Sequence, residues 1–109
     1  MAKPSPVERA SYTVAERRVV AQTAELRVTV MALDAEHAIP WHFHSHVTDT
    51  FFCLAGQLGL ETPEGMVVLQ PGDSLAIPPG RPHRVTNQGA GRCRFLLVQG
   101  VGPYDFVPA

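Results

Sequence analysis

The chain has 109 residues and a formal net charge of -1, enough for one domain that buries a core without disulfides. That balance leaves no basic footprint for nucleic acid and no cationic anchor for a membrane surface. No apolar run reaches the length of a bilayer span. Met1 to Ala10 lacks the apolar core of a signal peptide, so a cytoplasmic protein is expected, with Cys53 and Cys93 reduced and buried as small core residues.

Ten prolines and nine glycines punctuate short β-rich runs. The predicted strands, in chain order, are Arg18 to Gln22, Leu26 to Leu33, Ile39 to His44, Thr50 to Leu54, Gln57 to Thr62, Met66 to Leu69, Ser74 to Ile77, His83 to Thr86 and Arg92 to Val101. Pro6 to Arg17 has room for one turn of helix. Ala55-Gly56, Pro63-Glu64-Gly65, Pro71-Gly72-Asp73, Pro78-Pro79-Gly80 and Asn87 to Gly91 supply the turns between strands. Even strand spacing of this kind predicts an all-β barrel or sandwich, with an N-terminal arm over 1–17, a barrel over 18–101 and a C-terminal tail over 102–109. Phe51 to Leu54 and Phe95 to Val98 are apolar on both faces, which predicts cover on both sides. Trp41 and Phe43, on the outer face of their strand, also need cover. A homodimer would provide it, the alternative being cover by the chain's own N-terminal segment.

The chemistry-bearing residues are His42, His44, Asp49 and His83. Residues two apart on a strand share a face, so His42 and His44 present two imidazoles to one side, about 7 Å apart along the strand. A neighbouring strand can add a carboxylate, and a third another imidazole. Such a set suits one divalent transition metal, iron, manganese, cobalt, nickel or zinc, with positions left open for water or substrate. The same alternation puts Phe51 and Cys53 beside Asp49, and Val85 and Asn87 beside His83, as an apolar pocket lining.

The pattern resembles the cupins, small antiparallel jelly-roll barrels with two signature motifs. The first is His-x-His, three or four residues, Glu, six residues, Gly; here it is His42-Phe43-His44, Asp49 and Gly56. The second is Gly, five residues, Pro-x-Gly, two residues, His, three residues, Asn; here Gly72, Pro78, Gly80, His83 and Asn87 match every fixed position. Together they span Trp41 to Asn87. The resemblance implies a jelly roll with a metal held by His42, His44, His83 and the carboxylate at position 49.

Asp49 departs from the motif's Glu by one methylene. It can ligate directly if the strand lies closer, act through a water, or orient a histidine. His46 follows His44 at the same period and is a candidate replacement ligand or a substrate-facing group, unless the chain turns at Ser45. Arg81, in the loop before His83, is a candidate contact for an anionic substrate. His37, in a polar turn, is expected at the surface. Tyr104 and Phe106 form an aromatic pair able to cap the barrel mouth or to lie against a partner.

The leading expectation is a metal-dependent enzyme acting on a small organic molecule, with dioxygenase, isomerase, lyase and sugar-tautomerising chemistry all open, because fold does not select among them. The rival is a non-catalytic module that binds a small molecule or the metal itself, favoured by the lack of a second Glu or Tyr near the ligands. A storage role is a weaker third.

Overall fold

The computed structural model describes residues 12–109. Ten strands run β1 (Glu16–Gln22), β2 (Leu26–Leu33), β3 (Ala38–Phe43), β4 (Thr48–Ala55), β5 (Leu58–Thr62), β6 (Gly65–Leu69), β7 (Ser74–Ile77), β8 (His83–Asn87), β9 (Cys93–Gly100) and β10 (Val107–Pro108). They form two five-stranded antiparallel sheets, ordered β1-β2-β9-β4-β7 and β10-β3-β8-β5-β6. This is an all-β jelly roll: the strand spacing predicts the all-β class and the cupin resemblance the jelly roll.

Alternation explains how the sheets face each other. On β9 the buried residues are Cys93, Phe95, Leu97 and Gln99, with half-buried residues between them. On β4 they are Asp49, Phe51 and Cys53. Phe51, Cys53, Cys93, Phe95 and Leu97 join Leu58, Leu60 and Val85 of the opposite sheet in one apolar core, which Phe106 also joins. Period-two burial on both sheets is what packs two layers face to face.

Two expectations change, and a third stays open. Residues 12–15 form no helix and Glu16 already pairs with Ala32 on β2; the earlier part of the helical reading, 6–11, lies outside the described residues. The tail over 102–109 contains β10, which pairs with β3 through Val107↔Phe43 and Pro108↔His42. The outer face of the β4 sheet is not covered by the described chain: Phe52 is 38% exposed and Leu54 45%. Among the described residues nothing covers these apolar runs from outside; residues 1–11, the segment expected as the alternative cover, lie outside the described residues.

The turns carry their own chemistry. Asp73 accepts from the Gln70 amide at 2.9 Å, and the Gly72 amide bonds back to the Cys53 carbonyl at 2.9 Å. Asn87 donates to the carbonyls of Leu33 (3.0 Å) and Gly91 (2.7 Å) and accepts from the Gly89 amide (2.9 Å). Gly56 and Gly80 share nearly the same left-handed backbone, φ 75° and 79°. A Cβ on Gly56 would lie 2.8 Å from the Arg92 carbonyl oxygen and 2.9 Å from the Cys93 Cα, whereas one on Gly80 would meet nothing within 4 Å.

That contrast gives a test of the packing. Gly80→Ala should destabilise by about 1–2 kcal/mol, the cost of the left-handed region. Gly56→Ala should add about 1–3 kcal/mol of overpacking to the same penalty. Urea melts of the two variants that coincide would contradict the close approach of the turn to β9.

Candidate metal centre

Each candidate donor is placed by a strand end. His42 lies on β3 and is the register partner of His83, the first residue of β8. His44 follows the end of β3, where its carbonyl accepts from the Gly80 amide at 2.8 Å; the Pro78-Pro79-Gly80 turn is thereby tied to the histidine segment. Asp49 is the second residue of β4 and pairs across the sheet with Gln99 of β9. All four candidates are buried, at 1–3% exposure, and their donor atoms lie within 4.8 Å of one another.

Backbone carbonyls orient all three rings. The Nδ1 of His42 donates to the Pro40 carbonyl at 2.8 Å and that of His83 to the Arg81 carbonyl at 2.9 Å. The Nδ1 of His44 donates to the Asp105 carbonyl. A carbonyl oxygen only accepts, so Nδ1 of each ring carries a proton, and Nε2 is the atom turned toward the group. The Nε2 atoms of His44 and His83 lie 2.9 and 3.0 Å from Asp49 Oδ2. Ligands about 2.1 Å from a metal and at right angles to one another sit about 3 Å apart, so these separations suit direct coordination by the shorter carboxylate. Three imidazoles and one carboxylate are also the donor types that a divalent transition metal takes.

The electrostatics are those of a tightly coupled group. Burial alone would raise the Asp49 carboxyl, but hydrogen bonds and positive charge from His44 and His83 outweigh it and hold it ionised well below the usual carboxylate range. Burial opposes a charged His44, yet the bond to Asp49, its charge and the Asp105 carbonyl raise its pKa. Burial and then repulsion from His83 push His42 down to about 3. Phe106 stacks on the His42 ring with centroids 4.4 Å apart and planes 12° apart, and Tyr104 lies 5.1 Å from the His44 centroid.

The other predicted site residues divide. Phe51 and Val85 line the cavity that opens from this group, about 430 Å³ including its mouth. Phe51 meets the His83 ring edge-on at 6.0 Å. Cys53 points inward but away from the cavity, its Sγ 3.5 Å from the Gly56 carbonyl. Asn87 is consumed by its turn. His46 is exposed, because the chain leaves β3 before it and the alternation ends there. Arg81 pairs with Glu64 and does not line the cavity. His37 is half-buried rather than a surface group, its Nδ1 accepting from the Asp34 amide at 2.9 Å.

Gln99 was not singled out from the sequence. Its Nε2 donates to Asp49 Oδ1 at 3.0 Å, and its Oε1 accepts from Nε and Nη2 of Arg27, both at 3.1 Å. The available signal was parity: Gln99 continues the inward series Phe95, Leu97, and a polar residue at an inward position asks for a partner. Tyr12, Arg17 and Arg27 also reach the cavity from strands and loops that no motif marks.

Two outcomes follow. Gln99→Leu removes a donor from a buried carboxylate oxygen and should cost about 1–3 kcal/mol, read by urea unfolding. In EDTA-treated protein the unfolded His42 takes a proton near pH 6.5 and the folded one only near pH 3, so its contribution to stability falls as pH drops through that interval. His44, raised, contributes a constant amount below 6.5, and Asp49, lowered, a constant amount above its unfolded value. Between pH 6 and 4.5 stability should therefore fall by up to about 1.4 kcal/mol per pH unit, and His42→Gln should flatten the slope. An unchanged slope in that variant would show that His42 is not held neutral.

The cupin domain family (Cupin_2) matches residues 29–99, and no curated protein matches the chain by sequence. Among solved structures, an uncharacterised conserved protein with a double-stranded β-helix domain from Klebsiella pneumoniae is 25% identical, with 99% of this chain and 84% of that one covered and a TM-score of 0.77. TT1209 from Thermus thermophilus is 24% identical over 94% of this chain and 91% of its own, TM-score 0.74. The polyketide cyclase RemF from Streptomyces resistomycificus is 22% identical over 91% and 73%, TM-score 0.77; at that identity the likeness concerns the fold alone. With the family match spanning well over half of the sequence, the chain belongs to the cupin family.

Proposed function

We propose that His42, His44, Asp49 and His83 hold one divalent transition metal, and that the protein is a metal-dependent enzyme acting on a small organic molecule in the adjoining cavity. The observation that carries this reading is the convergence of three rings, each with Nδ1 committed to a backbone carbonyl, on one ionised carboxylate at the buried end of an open cavity. When bound, the metal would supply Lewis-acid polarisation of a substrate oxygen, or oxygen chemistry if it is iron.

The chain's own residues supply the rest. The Nδ1 bonds orient the histidines, and Gln99 holds the second oxygen of Asp49. Phe51, Val85 and Phe106 exclude water from the inner end. Two tyrosines, Tyr12 and Tyr104, line the cavity and offer hydroxyls for proton transfer that motif parity does not indicate. Arg17 donates to the Tyr12 hydroxyl and orients it. These two hydroxyls favour the enzyme over the non-catalytic binding module, which remains the second reading.

Two further parts of the proposal rest on surface and thiol chemistry. Phe52 and Leu54, with the half-buried Leu96 and Val98 beside them on β9, form an outer face suited to a second copy of the chain, so the working unit is a homodimer. Cys53 and Cys93 are free and buried, and burial pushes Cys93 up to about 11; thiols kept this way suit the reducing cytoplasm. No helix of the described residues is long and apolar enough to cross a membrane.

Elemental analysis of protein purified without chelator or nickel resin should give about one equivalent of transition metal per chain. The His42→Ala/His83→Ala double variant should lose it; unchanged metal content would remove these residues from the site. Metal-loaded protein that only gains thermal stability with ligands and turns none over would move the binding module to first place. Analytical ultracentrifugation should give twice the chain mass, reduced to one by Phe52→Lys.

A further inference from the structure

Thr29 is a buried polar residue to which the metal group gives no task. It stands on β2 at 4% exposure and lines the cavity with Arg27 and Met31, its neighbours on the same face. Its register partners, Val19 on β1 and Leu97 on β9, line the cavity too, as does Phe51, the partner of Leu97 on β4. One hydroxyl thus interrupts an apolar row that crosses the sheet. Other buried polar side chains are committed within the fold: Gln99 to Asp49 and Arg27, and Thr86 to Gln88 at 2.8 Å. The Thr29 hydroxyl has no hydrogen-bond partner among the described residues. No fully enclosed side-chain oxygen or nitrogen among them lacks one, so this hydroxyl is open to the cavity. A polar group withdrawn from bulk water and left unbonded by its own chain calls for a partner, and the cavity is where one can arrive.

We propose that Thr29 is a specificity-determining residue, which hydrogen-bonds a neutral hydroxyl or carbonyl oxygen on the apolar body of a small molecule whose other end faces the His42/His44/Asp49/His83 group. The inference rests on the reading of this cavity as the substrate site. A threonine hydroxyl donates and accepts and carries no charge, so a neutral oxygen answers it. A plain hydrocarbon in the same place would leave it dry and unpaired, at the cost of an unmade hydrogen bond. A sugar would fail the other way, because Val19, Met31, Leu97 and Phe51 offer its further hydroxyls no nitrogen or oxygen. Register places Thr29 opposite Leu97, and Asp49 opposite Gln99 on the far side of β9. Two strand spacings and one side-chain repeat then separate Thr29 from Asp49, about 12 Å between Cα positions along the sheet. A ligand that reaches both carries its two polar ends on opposite sides of a body about the size of a benzene ring.

The test is an NMR titration of the full chain, once treated with EDTA and once loaded with Co(II), using 4-hydroxybenzamide and 4-methylbenzamide. The two probes differ by a hydroxyl against a methyl, as Thr29 and its Thr29→Val variant do, so the four affinities close a cycle. The preference for 4-hydroxybenzamide should be about tenfold greater in the natural protein than in Thr29→Val, the range of a hydrogen bond left unmade. Thr29→Ser, which keeps the hydroxyl, should keep the preference. The same preference in Thr29→Val as in the natural protein, or none in either, would overturn the proposal. Urea unfolding gives a second reading that needs no ligand. No internal hydrogen bond is lost in Thr29→Val, so its midpoint should equal or exceed that of the natural protein; a lowered midpoint, or failure to fold, would show the hydroxyl in use within the fold and overturn the proposal. Failure of the metal reading has a separate signature, no stoichiometric Co(II) uptake, and leaves the probe comparison on the EDTA-treated protein intact.

Discussion

A carboxylate at 1% exposure is the constraint around which this small jelly roll is organised. An ionised group removed from water is tolerated only when its lone pairs are met by donors of opposite charge or strong polarity. Asp49 obtains this from three strands or strand ends at once: His44 after β3, His83 opening β8, and Gln99 on β9. Both sheets must therefore be in register before the carboxylate is satisfied. The buried apolar side chains supply the driving force for bringing the layers together, while Asp49 specifies which strand ends meet.

The same network joins the inner group to the cavity mouth. From Asp49 the contacts pass through Gln99 to Arg27 and on to the Tyr104 ring. Tyr104 is two residues before Phe106, which stacks on His42, and next to Asp105, whose carbonyl holds His44. Residues 104–106 thus each touch the site, Tyr104 at Arg27 and His44, Asp105 at His44 and Phe106 at His42. A segment that looks like a tail in sequence is part of the wall.

How much of this was readable from the sequence depended on range. His42, His44 and Asp49 are separated by a few residues, and strand alternation translates such spacing directly into shared faces. His83 came from the turn chemistry of Pro78-Pro79-Gly80 and from the resemblance to cupins. The fold class followed from punctuation by proline and glycine. Gln99 was accessible through the parity of β9, yet nothing local tells an inward glutamine from an outward one at the end of a strand. Arg27, 72 residues from Gln99, and Asp105, 61 from His44, carry no local signal at all. Their roles exist only once the sheets have formed. His46 was singled out on spacing and Arg81 on its loop position before His83; His46 is exposed past the end of β3, and Arg81 pairs with Glu64 away from the cavity lining.

The bond from His44 to the Asp105 carbonyl also bears on biosynthesis. A growing chain exposes His42, His44 and Asp49 early, and His83 well before Asp105 has been made. Until that carbonyl arrives, the His44 ring is at liberty to present either nitrogen, and any ion it catches meets a flexible, unselective set of donors. Closure of residues 104–108 over β3 converts those donors into a rigid frame with one tautomer at each ring. A fixed orientation of all three rings is therefore a property of the completed fold rather than of the histidine pair that first attracts notice.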